Sequence, residues 1–282
     1  MERRSSNYAR DVLERSVTVT FLRTLFIVVI LSLLACDPTV PTSSPSPISP
    51  LEASRVEHQL FLPAVNVGSK NLLLNPSFEM GEWHYSIYWD ENGGPWWISY
   101  EEVRPPIHWI AFWYEGIEGI CTGSVPGRPE FLAFEKWIDS RRVLSGKQSA
   151  KYFTFWRCQR AGLMQPVKVS AGQYQASAFV QTWHSDCSTK PYDPPLNYDC
   201  KTPLSDRLEV QIGIDPLGGY DPAAASIVWG SSGYAFGEFA KIVSPIVEIE
   251  DDSEITLFLL SKSEYALKHE DVYIDSVQLV AR

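Results

Sequence analysis

The sequence predicts an all-β fold, an antiparallel β-sandwich of the jelly-roll type. Six segments alternate apolar and polar side chains or are apolar throughout, and turn-forming residues such as Ser-Gly and Gly-Gly separate them. No long segment shows the apolar spacing of a capped helix. Many short strands within about 210 residues are typical of one sandwich. The predicted strands cover 149–156, 173–183, 207–215, 239–250, 253–261 and 271–280.

The first 36 residues read as an export signal. Five arginines precede the apolar run TLFIVVILSLLA at 24–35, and Cys36 follows it. Leu33-Leu34-Ala35-Cys36 resembles a bacterial lipobox, so we expect a lipoprotein signal peptide over 1–36 and lipidation of Cys36. Two alternatives stay open. Cys36 could be incidental in an ordinary signal peptide, or the run could be a signal anchor, although about twenty residues are needed to span a bilayer.

The next segment, 37–57, is rich in Pro, Ser and Thr and is predicted to be an extended linker. The β-sandwich domain would then cover 58–282, with HQLFLPAV at 58–65 as a short strand or docking segment before its main body. A signal, a lipid anchor and a spacer together predict an extracytoplasmic protein that is attached to the cell membrane.

Four further cysteines, an even number, suggest two disulfides in an exported chain. Cys187 and Cys200 bracket a Pro-rich loop and could close it, which would leave Cys121 to pair with Cys158. Four cysteines allow three pairings, so this pairing is a preference. The cysteines lack the close spacing of a zinc site.

Alternation along two predicted strands points to a glycan-binding surface. In 173–183 the outward set includes Gln181 and Trp183, and in 207–215 it includes Glu209 and Gln211. If the strands are neighbours, these side chains form a polar surface with an aromatic floor. Aromatic rings stack on the C–H face of a sugar while amides and carboxylates bind hydroxyls. Trp156 or Trp229 would add a second ring. The alternative is a solvated sheet face without a ligand.

Four motifs in order carry a resemblance to a known family: NLLLNPSFEMG at 71–81, SGKQSAKYF at 145–153, GQYQASAFVQ at 172–181 and DVYIDSVQL at 271–279. The chain resembles carbohydrate-binding modules of families 4, 9 and 22, which are galactose-binding-domain-like jelly rolls. The resemblance covers most of 71–282. The chain departs from the family in a Trp-rich insertion at about 83–140 and in the Cys187–Cys200 loop.

The resemblance also implies a structural calcium ion where the first and last strands meet. Glu79 and Asp275 match the acidic positions of the family, and carbonyls of the Ser145–Lys147 turn could complete the set of oxygen ligands. The alternative is that both residues are simply exposed acids at the ends of strands.

Charge and motifs exclude several classes of function. The net charge is −10 and no basic stripe occurs, which argues against nucleic acid as a partner. Catalytic motifs such as G-x-S-x-G or H-E-x-x-H are absent, and the five histidines are scattered. We therefore expect a non-catalytic glycan-binding module. One alternative is a structural or protein-interaction module of the cell envelope without a sugar site, in which the Trp-rich segment is a buried cap or a partner patch. The other is a hydrolase with two facing carboxylates.

Overall fold

The computed structural model describes residues 70–186 and 207–282 and confirms the predicted fold class. Within these ranges the chain forms thirteen strands and one 3-10 helix, Ser140–Arg142. None of the helices among the described residues could span a membrane. The strands are β1 Ser86–Trp89, β2 Trp96–Ile98, β3 Ile110–Tyr114, β4 Glu130–Glu135, β5 Gln148–Thr154, β6 Arg160–Val169, β7 Gly172–Ser185, β8 Leu208–Asp215, β9 Val228–Trp229, β10 Ala240–Val243, β11 Val247–Ile249, β12 Ser253–Ser263 and β13 His269–Ala281.

Two sheets make the sandwich. The seven-stranded sheet has the order β2-β1-β3-β6-β12-β8-β9, and the six-stranded sheet consists of β10-β7-β13-β5-β4 with β11 also paired to β7. β1 and β3 run parallel, and the other paired strands of the described chain are antiparallel.

The core between the sheets follows the alternation of the strands. Val180 of β7 lies opposite Ile274 of β13, and Ile212 of β8 lies opposite Leu259 of β12. All four side chains are fully buried in one cluster. Because side chains of a strand point alternately to its two faces, the aliphatic residues of each strand meet in the interior.

The Trp-rich segment at 83–140, which the resemblance marks as an insertion relative to the family, is part of both sheets. It contains β1 to β3 at one edge of the seven-stranded sheet and β4 at the edge of the six-stranded sheet. Trp113 and Phe131 are buried in the central core, with ring centroids 6.5 Å apart. The strands are short and end in Pro- and Gly-containing turns, so their alternation is hard to recognise in the sequence.

Two other boundaries differ from the prediction. β6 was not predicted, although seven of its ten residues are buried. The segment predicted as one strand at 239–250 is divided into β10 and β11 near Pro245. Proline has no N–H to donate to a neighbouring strand. At the break, the Ser244 hydroxyl accepts a hydrogen bond from Ala176 N at 2.9 Å, which keeps the segment attached to β7.

The outer face of the seven-stranded sheet carries a second hydrophobic cluster. Its centre is Phe112, Met164 and Phe258, which are fully buried. Two loops cover it, one at 115–127 that contributes Ile117 and Ile120, and one at 216–227 that contributes Ile227. A disulfide between Cys121 and Cys158 joins the first loop to the β5–β6 connection and confirms that predicted pairing. Cys187 and Cys200 lie outside the described residues, as do Cys36, the signal peptide and the linker.

The two ends of the domain lie side by side, as predicted. Leu72 N donates a hydrogen bond to Leu279 O at 3.0 Å, and Val277 N donates to Pro76 O at 2.8 Å. Residues 71–75 are not a regular strand, because the Asn71 side-chain oxygen takes the N–H groups of Leu73 and Leu279. Phe78, buried beside Trp109, anchors the turn that follows.

Because the Trp-rich segment contributes side chains to the core, truncating one of them should lower the free energy of unfolding as much as other core truncations do. We expect Trp113→Ala to lower the free energy of unfolding by about 3–5 kcal/mol, measured by urea denaturation with circular dichroism. Trp137→Ala, whose side chain is 78% exposed, is the control and should change it by less than about 0.5 kcal/mol. Equal losses in the two variants would contradict this placement.

Candidate functional site

The predicted glycan-binding surface does not exist as one surface. Gln181 and Trp183 belong to β7 of the six-stranded sheet, whereas Glu209 and Gln211 belong to β8 of the other sheet. The outward faces of the two strands therefore lie on opposite sides of the sandwich. Alternation within each strand was predicted correctly, but the assumption that the strands are neighbours was wrong.

Trp183 is also covered. Its ring stacks on Phe236 with a centroid distance of 4.7 Å, and the Arg142 guanidinium lies 4.8 Å from the ring centroid. Gln181 is 1% exposed, and its amide nitrogen donates to the carbonyl of Gly237. The cover comes from the loop at 230–238 and from the 3-10 helix, and not from the Trp-rich segment.

Of the remaining predicted ligand-binding residues, Glu209, Gln211 and Trp229 lie on neighbouring strands of the seven-stranded sheet, and Trp156 lies apart from them. Gln211 donates to Gly230 O at 3.3 Å, and Trp229 packs on Phe258 at a centroid distance of 6.2 Å. Glu209 lines a cleft of about 370 Å³ in which acidic and basic side chains alternate. Trp156 is 64% exposed at the end of β5, in the other sheet.

The structure places a different group of aromatic residues around an open cleft of about 350 Å³. We name the group Trp83, Tyr85, Trp97 and Tyr220 the aromatic platform. The first three line the cleft, and Tyr220 packs edge-on against Trp97 at a centroid distance of 5.6 Å. Their side chains range from 36% exposed for Tyr220 to 58% for Tyr85. Rings of this size are usually buried in soluble domains, so a cluster of them in solvent indicates a binding surface.

Strand geometry explains why these rings share one face. Trp97 of β2 lies opposite Ile87 of β1, which belongs to the outer hydrophobic cluster. Trp83 and Tyr85 precede β1; their ring centroids lie 6.5 Å apart, and both rings line the same cleft as Trp97. The platform is thus the end of the outer face that the loops at 115–127 and 216–227 leave open.

Gln165 fixes the floor of the cleft. It is 3% exposed, its side-chain oxygen accepts from Leu74 N at 2.7 Å, and its amide nitrogen donates to the carbonyls of Leu74 and His108. His108 has a positive φ of 71°, a conformation that costs free energy in a residue with a side chain and is held by its surroundings. Its exposed imidazole and the apolar Ile110 and Pro166 complete the lining.

The cleft can stack flat apolar surfaces and form a few hydrogen bonds, but it offers no fixed charge. Besides the aromatic rings, its polar side chains are the His108 imidazole and the Gln165 amide. Such a lining suits a neutral ligand whose rings carry C–H faces and hydroxyl groups.

Glu79 and Asp275 both contact the turn between the 3-10 helix and β5. Asp275 Oδ2 accepts from Leu144 N and Ser145 N, both at 3.0 Å, and Oδ1 accepts the hydroxyls of Ser145 and Ser276. Glu79 Oε1 accepts from Lys147 N at 2.9 Å and from Gln148 N at 3.3 Å. Burial raises the pKa of Asp275 above its usual range, and the hydrogen bonds from Ser145, Ser276 and Leu144 oppose that rise.

A buried acid–base pair lies at one end of the core. His184 Nε2 is 3.2 Å from Glu270 Oε1, and neither side chain has any exposed surface. Burial raises the pKa of Glu270, and the hydrogen bond and charge of His184 oppose the rise. A substrate cannot reach this pair in the observed conformation, so it does not form an active site. In the described parts of the chain, no three His, Cys, Asp or Glu side chains are grouped to hold a metal ion.

The sequence analysis missed the platform, although it noted the Trp-rich segment at about 83–140 that contains three of its four rings. The alternating residues 83, 85, 87 and 89, of which three are aromatic and one is Ile, were the available signal for a strand with one aromatic face. What separates Trp97 from the buried Trp113 is the position of its strand at the sheet edge, which depends on contacts far along the chain.

No family model and no curated protein sequence matches the chain. Solved structures similar to it include TmCBM61 in complex with β-1,4-galactotriose, at 13% identity, a TM-score of 0.41 and coverage of 76% of this chain and 100% of that one. The CBM22-1 xylan-binding domain of Paenibacillus barcinonensis Xyn10C has 13% identity and a TM-score of 0.34, with 61% and 92% covered. A cyclase from Fischerella sp. TAU has 13% identity and a TM-score of 0.41, with 76% and 98% covered.

Carbohydrate-binding modules are thus among the structural neighbours, in line with the resemblance seen in the sequence. Scores of this size alongside both modules and a cyclase do not assign a function. The functional argument has to come from the chain itself.

Titration of Glu270 should make the free energy of unfolding depend on pH. The unfolded chain ionises this carboxyl near its ordinary pKa of 4.5, whereas the folded chain keeps the proton to higher pH. In that interval the unfolded state binds fewer protons, so the free energy of unfolding falls as pH rises. We expect Glu270→Gln to make the fall between pH 4.5 and neutrality smaller, as measured by urea denaturation across this range. An unchanged slope would show that Glu270 does not titrate this way.

Proposed function

We propose that this domain is a non-catalytic glycan-binding module and that the aromatic platform is its binding surface. The observation that carries the proposal is the group of exposed rings around an uncharged cleft, Trp83, Tyr85 and Trp97 with Tyr220 beside them. A sugar ring that lies flat on such a surface buries its C–H face, and its hydroxyls remain free to bond to His108 or to water.

The arrangement favours a neutral polysaccharide over a charged partner. The cleft lacks Lys, Arg, Asp and Glu among its lining residues, and the chain as a whole carries a net charge of −10. An acidic glycan would be repelled at long range and would find no cation in the cleft. Stacking contacts, in contrast, are insensitive to salt.

We expect Trp97→Ala to weaken glycan binding about tenfold or more, because a ring at the centre of a binding surface usually contributes over about 1.4 kcal/mol. The purified chain would be titrated with xylan, galactan and mixed-linkage β-glucan, followed by tryptophan fluorescence and calorimetry. Trp137→Ala removes a ring outside the cleft that is even more exposed than Trp97, and this variant should bind like the wild type. If the wild-type chain binds none of these polymers, or both variants lose binding equally, the proposal fails.

The proposal places the domain outside the cytoplasm, held to the membrane through diacylated Cys36 and the 37–57 linker. It rests on the basic and apolar residues of 1–36 and the lipobox-like sequence that ends in Cys36. A tethered glycan-binding module would keep the cell surface close to its polysaccharide.

Cys36→Ser should abolish lipidation if this cysteine is the acylated residue. In a bacterial host we expect the wild-type chain in the membrane fraction with incorporated labelled fatty acid, and the variant without label. A variant that still incorporates fatty acid, or a wild type without it, would rule out this anchor. Glycan binding by the variant should be unchanged, which separates the anchor from the platform.

A further inference from the structure

The turn at 144–148 donates hydrogen bonds to two carboxylates, those of Glu79 and Asp275. These contacts show whether the two acids are available to bind a metal ion. One acid follows the first segment of the domain and the other lies in the last strand. Both accept hydrogen bonds from main-chain N–H groups of the same turn, at 2.9–3.3 Å. We name this unit, Glu79, Asp275 and the turn at 144–148, the carboxylate clamp.

The donor set does not fit a calcium ion. Calcium takes six to eight oxygen ligands at about 2.3–2.6 Å. A carboxylate offers about four lone-pair positions, and Asp275 receives four hydrogen bonds from Leu144 N, Ser145 N, Ser145 Oγ and Ser276 Oγ. The turn therefore directs N–H groups, with their positive ends, towards the acids, and an N–H group cannot ligate a cation.

One carbonyl group of the turn that was expected to complete the shell is also engaged. Lys147 O accepts from Lys136 N at 2.7 Å. Asp275 has no exposed surface, so an ion would have to displace buried hydrogen bonds in order to reach it. Breaking such bonds without replacing them costs about 1–3 kcal/mol each.

Gly146 shows how closely the turn fits the acid. Its φ is +68°, and a Cβ atom built at this position would lie 2.1 Å from Glu79 Oε1. Any side chain here would occupy the place of the carboxylate, in a backbone conformation that only glycine adopts without strain. The Ser145-Gly146 dipeptide is thus matched to Glu79.

We propose that the carboxylate clamp joins the first segment, the 144–148 turn and β13 through hydrogen bonds alone, and that no calcium ion takes part. Hydrogen bonds from neutral N–H and O–H groups to ionised carboxylates are stronger than those between neutral groups. The clamp therefore supplies directly the cross-link between the ends that a bound ion would supply.

The test measures the thermal unfolding midpoint of the purified chain in EDTA and in millimolar calcium. A ligand that binds only the folded state raises the midpoint. We expect the same midpoint in both conditions, and no heat of calcium binding in calorimetry. A midpoint raised by calcium in the wild type but not in Asp275→Asn would overturn the proposal, whereas an equal rise in both would place the ion elsewhere and leave the clamp standing.

The clamp itself is tested by substitutions that keep side-chain shape. Asp275→Asn should lower the midpoint by roughly 5 °C, to the same extent in EDTA and in calcium, because Asp275 accepts on both oxygens and an amide would turn a donor towards donors. Glu79→Gln should lower it by less, because the amide oxygen can still accept from Lys147 N and Gln148 N but without the charge. Glu248→Gln, an exposed acid of β11, is the control and should shift it by less than about 1 °C. If Asp275→Asn does not fold, Glu79→Gln still tests the clamp, and the calcium titration of the wild type still tests for a bound ion. Wild-type midpoints in both clamp variants would refute the clamp.

Discussion

The seven-stranded sheet carries a large apolar cluster on each of its faces, and much of the architecture follows from that constraint. Its inner face packs against the six-stranded sheet in the main core. Its outer face carries Phe112, Met164 and Phe258, which point away from that core and are buried in a second cluster. Apolar surface of this extent must be removed from water or used for binding. The loops at 115–127 and 216–227 cover one part, and the aromatic platform is the part that stays open.

The six-stranded sheet is covered in a different way. Its outer face carries polar and charged side chains, and Asp271, with no exposed surface, is paired to Lys151 Nζ at 3.1 Å. The Arg142 guanidinium lies over the rings of Trp183 and Tyr273 and closes this face. A buried charge is tolerable when paired and stacked in this way, but such a face offers no open surface. The aromatic platform therefore lies on the opposite side of the sandwich from this closed polar patch.

The sequence was informative wherever the deciding interaction is local. Alternation placed Val180 and Ile212 in the core correctly, and the meeting of the chain ends was predicted from their motifs. It failed wherever the deciding partner is distant. Nothing near Trp183 reveals that Phe236 stacks on it, and nothing near β8 reveals that its neighbour is β12 and not β7. Short aromatic strands such as β1 were missed because buried and exposed tryptophans look alike without their neighbours.

The hydrogen bond between Leu72 and Leu279 has a topological consequence. The two ends of the described domain lie side by side, so a short peptide could connect them and new ends could be opened at a surface turn elsewhere. Domains with adjacent ends tolerate such circular permutation and can also be inserted into a loop of another protein. In a longer chain, adjacent ends would join this domain to its neighbours at a single point, and the platform would stay accessible to ligands.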